Sequence, residues 1–474
     1  MSHLALPTGK AARVPPRSTM LAGTAALTVL AFGIAIAVRF DLLLEVLGLA
    51  VALLAVLLSL RWPLLPLFAF AALLPVEDLG TFAGIGTVSR FAGLLFALTY
   101  ALPRLGQMTL RAIPLAGWAF IAWATMSLAW ALDQEVAWSA LATLIQLFAI
   151  AVFIADVVVR RPEVVRQLLW TYTISAAVTA LIALGSFVSS GALSSERLAA
   201  FQGSGQDVAQ FAAILLPAMA FALFELINGR VVLLSGPVVV VTILAIVLSG
   251  TRGAWLATVV VIVLFVFHLQ PHRRVTAIAA LGLALVVAAQ LPGVAGMVAE
   301  RSDSAISSGG AGRTEIWKVA IEIVDSAPIA GVGYGNFALA NTSSLNREAR
   351  VPLETQAIGP HSILFGTAGE LGAIGVGTLA LFLLPLMLRA GSGPYGFVIQ
   401  ASLVSLMTSA LFLDVLNRKQ VWLIIGVAAG LVYLATRRPH DVVNAAPGGQ
   451  GISAVRPAPR RAGPEPKATP RPIR

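Results

Sequence analysis

Long apolar runs separated by short polar gaps dominate the chain. Runs at 20–38, 42–60, 112–132, 137–159, 167–189, 208–228, 231–250, 254–270, 275–292, 362–388, 396–413 and 420–436 reach the roughly 17 residues a helix needs to cross a hydrocarbon layer. Two shorter runs, 62–76 and 88–102, predict either thin spans or a re-entrant pair. The pattern predicts an all-α polytopic integral membrane protein of about 12–14 transmembrane helices. Either count is even, so both termini are expected on the same side.

Composition agrees with the pattern. Hydrophobic residues make up 58% of the 474 positions and charged residues 11%, against about 25% charged in soluble domains. Mean hydropathy is +0.89. The absence of cysteine excludes disulfides, thiolate metal sites and cysteine nucleophiles. The run from Met20 to Val38 is longer than a cleaved signal's apolar region and lacks a small-residue cleavage site, so it reads as an uncleaved first span.

Charge orients the chain. Arg104 and Arg111, then Arg160, Arg161 and Arg166, then Arg230, then Arg273 and Arg274, then Arg389 fall in alternate loops. With the basic termini they form one cytoplasmic side under the positive-inside rule. The intervening loops hold Glu77 and Asp78, Asp133 and Glu135, 190–207, 250–253, 293–361 and Asp414 to Lys419, and are expected outside. The organisation is then a cytoplasmic segment 1–19, a membrane domain 20–436 with a long extracytoplasmic loop 293–361, and a basic tail 437–474. That tail is rich in Pro, Ala, Gly and Arg, a composition that predicts disorder. Its charge suits a topology anchor with weak attraction to lipid headgroups, and no nucleic-acid partner is expected.

Candidate chemistry collects on the predicted outer side. In SGTRGAWLA, residues 249–257, Arg252 stands in a turn of a few residues between apolar runs. It either snorkels to the interface or binds a ligand, and its permanently charged fork suits a phosphate or diphosphate. The flanking Gly250 and Gly253 would admit a bulky headgroup, and Trp255 reads as an interfacial anchor. In TEIWKVAIEIVDS, residues 314–326, Ile316, Trp317, Ala320, Ile321 and Val324 share a helical face. This predicts an amphipathic helix lying on the membrane or on the other helices. Arg313 either adds positive charge at that helix's N-terminus or is a solvated loop charge. GVGYGNF, residues 331–337, lacks dinucleotide spacing and reads as a tight turn presenting Tyr334.

PHSILFGTAGELGAIG, residues 360–375, places His361 at the mouth of a span. It is either a capping or packing residue, or a neutral imidazole able to accept a proton. Glu370 lies nine positions later. At about 100° per residue it is on the opposite helical face, so it is expected to contact a neighbouring helix or an arginine rather than His361.

Arg252 with Leu256, His361-Ser362 with the later Gly372-Ala373-Ile374-Gly375, the long loop before the histidine, and the Arg313 to Trp317 spacing together resemble the O-antigen ligase and polysaccharide polymerase superfamily. The likeness covers roughly 195–385. It implies a bacterial cytoplasmic-membrane glycosyltransferase that takes a glycan from an undecaprenyl diphosphate carrier to an acceptor hydroxyl on the outer face. It implies a lipid-linked oligosaccharide donor and a glycan or lipid acceptor, with no cofactor and no metal. Arg252 would stabilise the diphosphate, assisted by Arg197 and Arg313, and His361 would act as base, with Tyr334 and Glu370 in the substrate site. Arg197 lies in SSERLAAFQGSGQD, whose later part departs from the Asn-Pro-Asn type of sequence common in relatives. No acidic cluster of the Asp-x-Asp kind is present. Two alternatives stand beside transfer to a glycan or lipid: a flippase or exporter of lipid-linked glycans, and oligosaccharide transfer to a protein hydroxyl.

Overall fold

The structure is a computed structural model. It describes residues 53–76, 81–82, 86–189, 198, 208–270, 274, 313–340, 359–391 and 393–437. The expected spans 20–38 and 275–292, Arg197, and nearly all of both terminal segments lie outside the described residues. Contacts divide the chain into units Met1–Leu434 and Ala435–Arg474, and the first holds the body of the membrane domain.

The described residues are all-α apart from a two-residue antiparallel pairing of Thr81–Phe82 with Gly86–Thr87. The helices, in chain order, are α1 Leu65–Leu73, α2 Val88–Phe96, α3 Leu115–Met126, α4 Gln134–Arg160, α5 Val164–Ser189, α6 Val208–Ile227, α7 Val232–Leu248, α8 Arg252–His268, α9 Arg313–Ser326, α10 Ile363–Arg389, α11 Gly396–Ala410 and α12 Lys419–Thr436. Among the described residues five helices, α4, α5, α6, α10 and α12, are long and apolar enough to cross a membrane. Large apolar side chains stand on the outside of the helices, among them Leu233, Leu388 and Phe267, as helices facing lipid require. This is a polytopic membrane protein.

The two short runs form the helices α1 and α2, which pack on each other. α1 is preceded by a further helical stretch, 53–61, with only Trp62 to Leu64 between them. α2 continues through a π-turn, Ala97–Ala101, into a 3₁₀ stretch, Leu102–Gln107.

Packing centres on Trp422, which is fully buried. Its ring meets Phe148 edge-on at 6.0 Å and lies 6.5 Å from Phe382, tying α12 to α4 and α10. Its indole N–H donates to the Leu416 carbonyl at 2.7 Å, so the same residue fixes the loop between α11 and α12. Small residues let α12 approach α4 closely, as between helices in lipid. A Cβ on Gly430 would lie 2.7 Å from Val158 Cβ, and one on Gly426 2.8 Å from the Ala151 carbonyl oxygen.

The helix ends expected on the cytoplasmic side carry buried acids neutralised by cations. Asp156, fully buried, accepts from Tyr100 Oη at 2.9 Å, the Thr109 N–H at 2.8 Å and Arg160 Nε at 2.9 Å. Glu225, also fully buried, binds Arg166 Nη2 at 2.8 Å, with Arg230 3.9 Å away. Removing one partner of such a buried pair is strongly destabilising, because the other charge is left uncompensated. Trp255 is half-buried, and its N–H is shared between the Ile246 and Val247 carbonyls at 3.2 Å. In α9 the buried positions are Ala320 and Ile323, packed with Phe337 and Ala340, while Ile321 is half exposed. The apolar face is rotated from the expected one, and it docks on α10.

Gly430→Leu should overpack the α12–α4 contact and destabilise the protein by about 1–3 kcal/mol. A fall in the unfolding temperature in detergent measures it. Gly185→Ala, where an added Cβ meets nothing within 4 Å, should leave that temperature unchanged.

Candidate functional site

The span that begins just after His361 is not one continuous helix. Gly372, at φ 65° and ψ −165°, breaks α10 nine residues after its start. A break inside a membrane helix frees backbone groups that must find partners. Here each does. The carbonyls of Gly369 and Glu370 accept from the Val332 and Gly333 N–H groups at 2.9 Å, and that of Leu371 accepts from Trp123 Nε1 at 2.9 Å. The N–H groups of Ala373 and Ile374 donate to the Pro328 and Ile329 carbonyls at 2.8 and 3.4 Å.

Residues 328–337, just beyond α9, therefore form a strap hydrogen-bonded into the gap. The fit depends on glycine on both sides. A Cβ on Gly372 would sit 2.2 Å from the Ile329 oxygen, and one on Gly331, itself at φ 71°, would sit 2.2 Å from the Glu370 carbonyl carbon. The far end of the strap is clamped to the start of α4. Asn336, fully buried, accepts from the Asp133 N–H at 2.8 Å and donates to the Asp133 carbonyl at 3.3 Å.

Strap, α4, α10 and the α11–α12 loop enclose a cavity of about 520 Å³. Tyr334 and Glu370 stand in its wall with Asp133, Glu135, Asp414 and Asn417. Tyr334 is 6% exposed. Burial first, and then the charges of Glu370 and Asp414, hold its phenol protonated far above the usual range. Glu370 is held by the Phe337 N–H at 3.3 Å and by the Gly335 backbone; of the two partners expected for it, another segment or an arginine, the structure shows the first. Asp414 lies between α11 and α12. Burial raises its pKa, while the Leu416 N–H, Arg418 and His361 oppose that rise.

His361 sits beside this wall, not in it. Pro360 and Ile363, close to it on either side, line the cavity, and its charge acts on Asp414. Its backbone is left-handed, φ 46°, a conformation costly for a non-glycine residue and typical of sites where geometry is imposed. Because α10 begins only at Ile363, rotation counted at about 100° per residue from position 361 does not apply. His361 and Glu370 form no hydrogen bond with each other, yet each lies near Asp414.

Arg252 is the first residue of α8, not part of the preceding turn. The side chain is half-buried and forms no hydrogen bond or ion pair among the described residues. Its neighbour Gly253 lies against Phe412, where an added Cβ would be 3.2 Å from Phe412 Cβ. Phe412 is 6.3 Å from the Trp317 ring, which in turn is 5.3 Å from Phe365. This aromatic row links the starts of α8 and α10, α9, and the loop carrying Asp414. Arg252 and His361 thus stand on adjoining elements without a direct hydrogen bond. The backbone of Arg313 opens α9, and Arg197 lies outside the described residues. Among the described residues no cluster of ligating side chains suits a metal ion.

Asp414, Asp133 and Asn417 are site residues that the sequence alone does not single out. The available signal is acidic residues at the mouths of spans, which also serve as ordinary loop charges. Asp133 is in part such a residue, since its Oδ1 caps α4 by accepting from the Glu135 and Val136 N–H groups at 2.9 and 3.1 Å.

Residues 237–380 match the family model described as O-antigen ligase. The matched region takes in Arg252, Arg313, the strap, His361 and the break at Gly372, and it supports the O-antigen ligase and polymerase superfamily. No curated protein matches the chain.

Two outcomes test this geometry. Gly372→Ala should undo strap docking and lower thermal stability markedly, whereas Gly377→Ala in the same helix, with nothing within 4 Å, should not. For Asp414, a folded pKa raised by burial means the native state holds its proton more tightly than the unfolded one. Stability should therefore fall as pH rises from about 3.9, the ordinary aspartate value, through the folded pKa. Asp414→Asn should flatten that decline in melts measured across pH.

Proposed function

We propose that the chain is a glycosyltransferase of the O-antigen ligase or polysaccharide polymerase type. It moves a glycan from an undecaprenyl diphosphate-linked donor to an acceptor hydroxyl on the extracytoplasmic face of the bacterial cytoplasmic membrane. The observation that carries this reading is the convergence of an uncommitted Arg252, a conformationally constrained His361 and the acid-lined cavity, all within or adjoining the matched residues 237–380. Segments read from charge as external, around Asp133, Arg252, Tyr334, His361 and Asp414, meet at this site. The Arg-paired acids Asp156 and Glu225 belong to segments read as cytoplasmic, and this supports an outward-facing site with both termini inside.

The chemistry arises from the side chains. The His361 imidazole takes the proton from the acceptor hydroxyl as its oxygen attacks the anomeric carbon. The bond from that carbon to the diphosphate oxygen breaks, and the electron pair leaves on the diphosphate. Arg252 neutralises that charge through its two-pronged guanidinium, assisted by Arg313 and Arg197. Asp414 steadies the imidazolium that forms, and Glu370 and Tyr334 hold the acceptor. Direct displacement inverts the anomeric carbon. The donor is already activated, so the reaction needs no nucleotide and no metal.

His361→Ala and Arg252→Ala should each lower transfer from purified lipid-linked donor by about 100-fold or more without lowering the amount of protein in the membrane. Arg252→Lys should recover little, because a point charge does not replace the fork. Normal product yield from His361→Ala would remove the base assignment. Lipid-linked glycan crossing a vesicle bilayer with no bond to an acceptor formed would instead favour the flippase reading. A reporter fused after Pro439 should behave as cytoplasmic, and an external signal would reverse the proposed orientation.

A further inference from the structure

The cavity is unlike the binding place of an anion. Four carboxyl-bearing residues stand in its wall, Asp133, Glu135, Glu370 and Asp414, and among the described residues the wall contains no lysine, arginine or histidine. Arg90 donates to the lining Thr143 Oγ1 at 3.4 Å, and Arg418 and His361 act on Asp414 without lining the cavity. A phosphate or uronate carboxylate entering here would lose water, gain no ion pair and face carboxyl groups instead of cations.

Two buried hydroxyls in the same wall point to a different ligand. Thr367, 3% exposed, has an Oγ1 with no hydrogen-bond partner. Tyr334, 6% exposed, has a phenol that burial and the nearby acids keep protonated, and that phenol makes no hydrogen bond among the described residues. A buried polar group without a partner is costly unless a ligand or water supplies one. The carboxylates also have acceptor capacity to spare: Asp133 takes two N–H groups through Oδ1, of about four positions a carboxylate offers. Leu144, Pro360, Ile363 and Leu416 add apolar surface between these polar points. Apolar patches with a few placed acceptors and donors match a sugar ring, which has C–H faces and a rim of hydroxyls.

From this wall we infer that the cavity is a subsite for an uncharged, hydroxyl-rich glycan, and that it rejects glycans bearing phosphate or uronate groups. The inference rests on the glycosyl-transfer reading and narrows it. The diphosphate belongs with Arg252, outside the cavity, and the glycan within is neutral. An acceptor of that kind fits the growing end of a neutral polysaccharide and not a phosphorylated lipid core.

The test needs no turnover. Purified full-length protein in lipid nanodiscs is titrated with maltotriose, a neutral trisaccharide, and with trigalacturonate, an anionic one of similar size. Maltotriose should bind saturably, and trigalacturonate at least about tenfold more weakly. Thr367→Val and Tyr334→Phe, both near-isosteric, should each weaken maltotriose about fivefold, the usual worth of one hydrogen bond. Glu135→Lys, at an exposed position, should narrow the gap between the two ligands. Adding the undecaprenyl diphosphate-linked donor assigns the subsite: displacement of maltotriose gives it to the donor's glycan, and simultaneous binding gives it to the acceptor. The inference is overturned if trigalacturonate binds as tightly as maltotriose, if maltotriose does not saturate, or if neither hydroxyl substitution alters its affinity. Failure of transfer assays with binding intact would instead count against the catalytic reading alone.

Discussion

The break in α10 at Gly372, and the backbone hydrogen bonds that close it, hold the rest of the site in place. Within a membrane an interrupted helix is stable only if another segment supplies the lost partners. The strap 328–337 and the Trp123 indole do so on both sides of the gap. That requirement fixes where the strap lies, and the strap fixes Tyr334 over the cavity and Asn336 against the start of α4. The same strap aims Glu370 inward, because its side chain is held by the strap's own N–H groups. Positioning by main-chain bonds leaves the polar side chains of the wall available to a ligand.

A second constraint is electrostatic. The protein treats its buried acids in two ways. Asp156 and Glu225 are neutralised by arginines at salt-bridge distance, which makes them part of the packing. Glu370 and Asp414 are held mainly by backbone N–H groups, and the cavity opens in front of them. Among the described residues arginine is absent from the wall, and Arg252, whose neighbour Gly253 packs on Phe412, has no hydrogen-bond or ion-pair partner. On the proposed reading, this separation puts a cation for the diphosphate apart from a chamber that offers anions no partner. A donor whose charge is confined to its diphosphate and whose glycan is neutral meets both surfaces correctly.

Much of this is legible in the sequence because a lipid solvent imposes a coarse code. Apolar runs long enough to span locate nearly every described helix, and arginine in alternate loops groups the segments that share the site. His361, Arg252, Tyr334 and Glu370 are visible as polar residues in costly places. The break is not visible, since GTAGELGAIG reads equally well as small residues along one helix, and only φ at Gly372 reveals the gap. The expected faces of His361 and Glu370 fail for a related reason: rotation is counted from a residue that precedes the helix. The role of Asp414 is hidden because a carboxylate in a short loop has the same sequence signature whether it is solvated or turned into a cavity. The apolar face of α9 is displaced from the expected one because its partners, the strap and α10, select Ile323 over Ile321.

On the proposed reading the donor's diphosphate and a neutral glycan occupy different parts of one site, the first beside Arg252 and the second in the carboxyl-lined cavity. A structure of the protein with undecaprenyl diphosphate-linked glycan bound would test it most directly. The diphosphate should lie against Arg252 at the start of α8, with the reacting sugar carbon near His361 and no phosphate in the cavity behind Tyr334 and Thr367. A diphosphate seated among Asp133, Glu370 and Asp414, or bound away from Arg252, would contradict it.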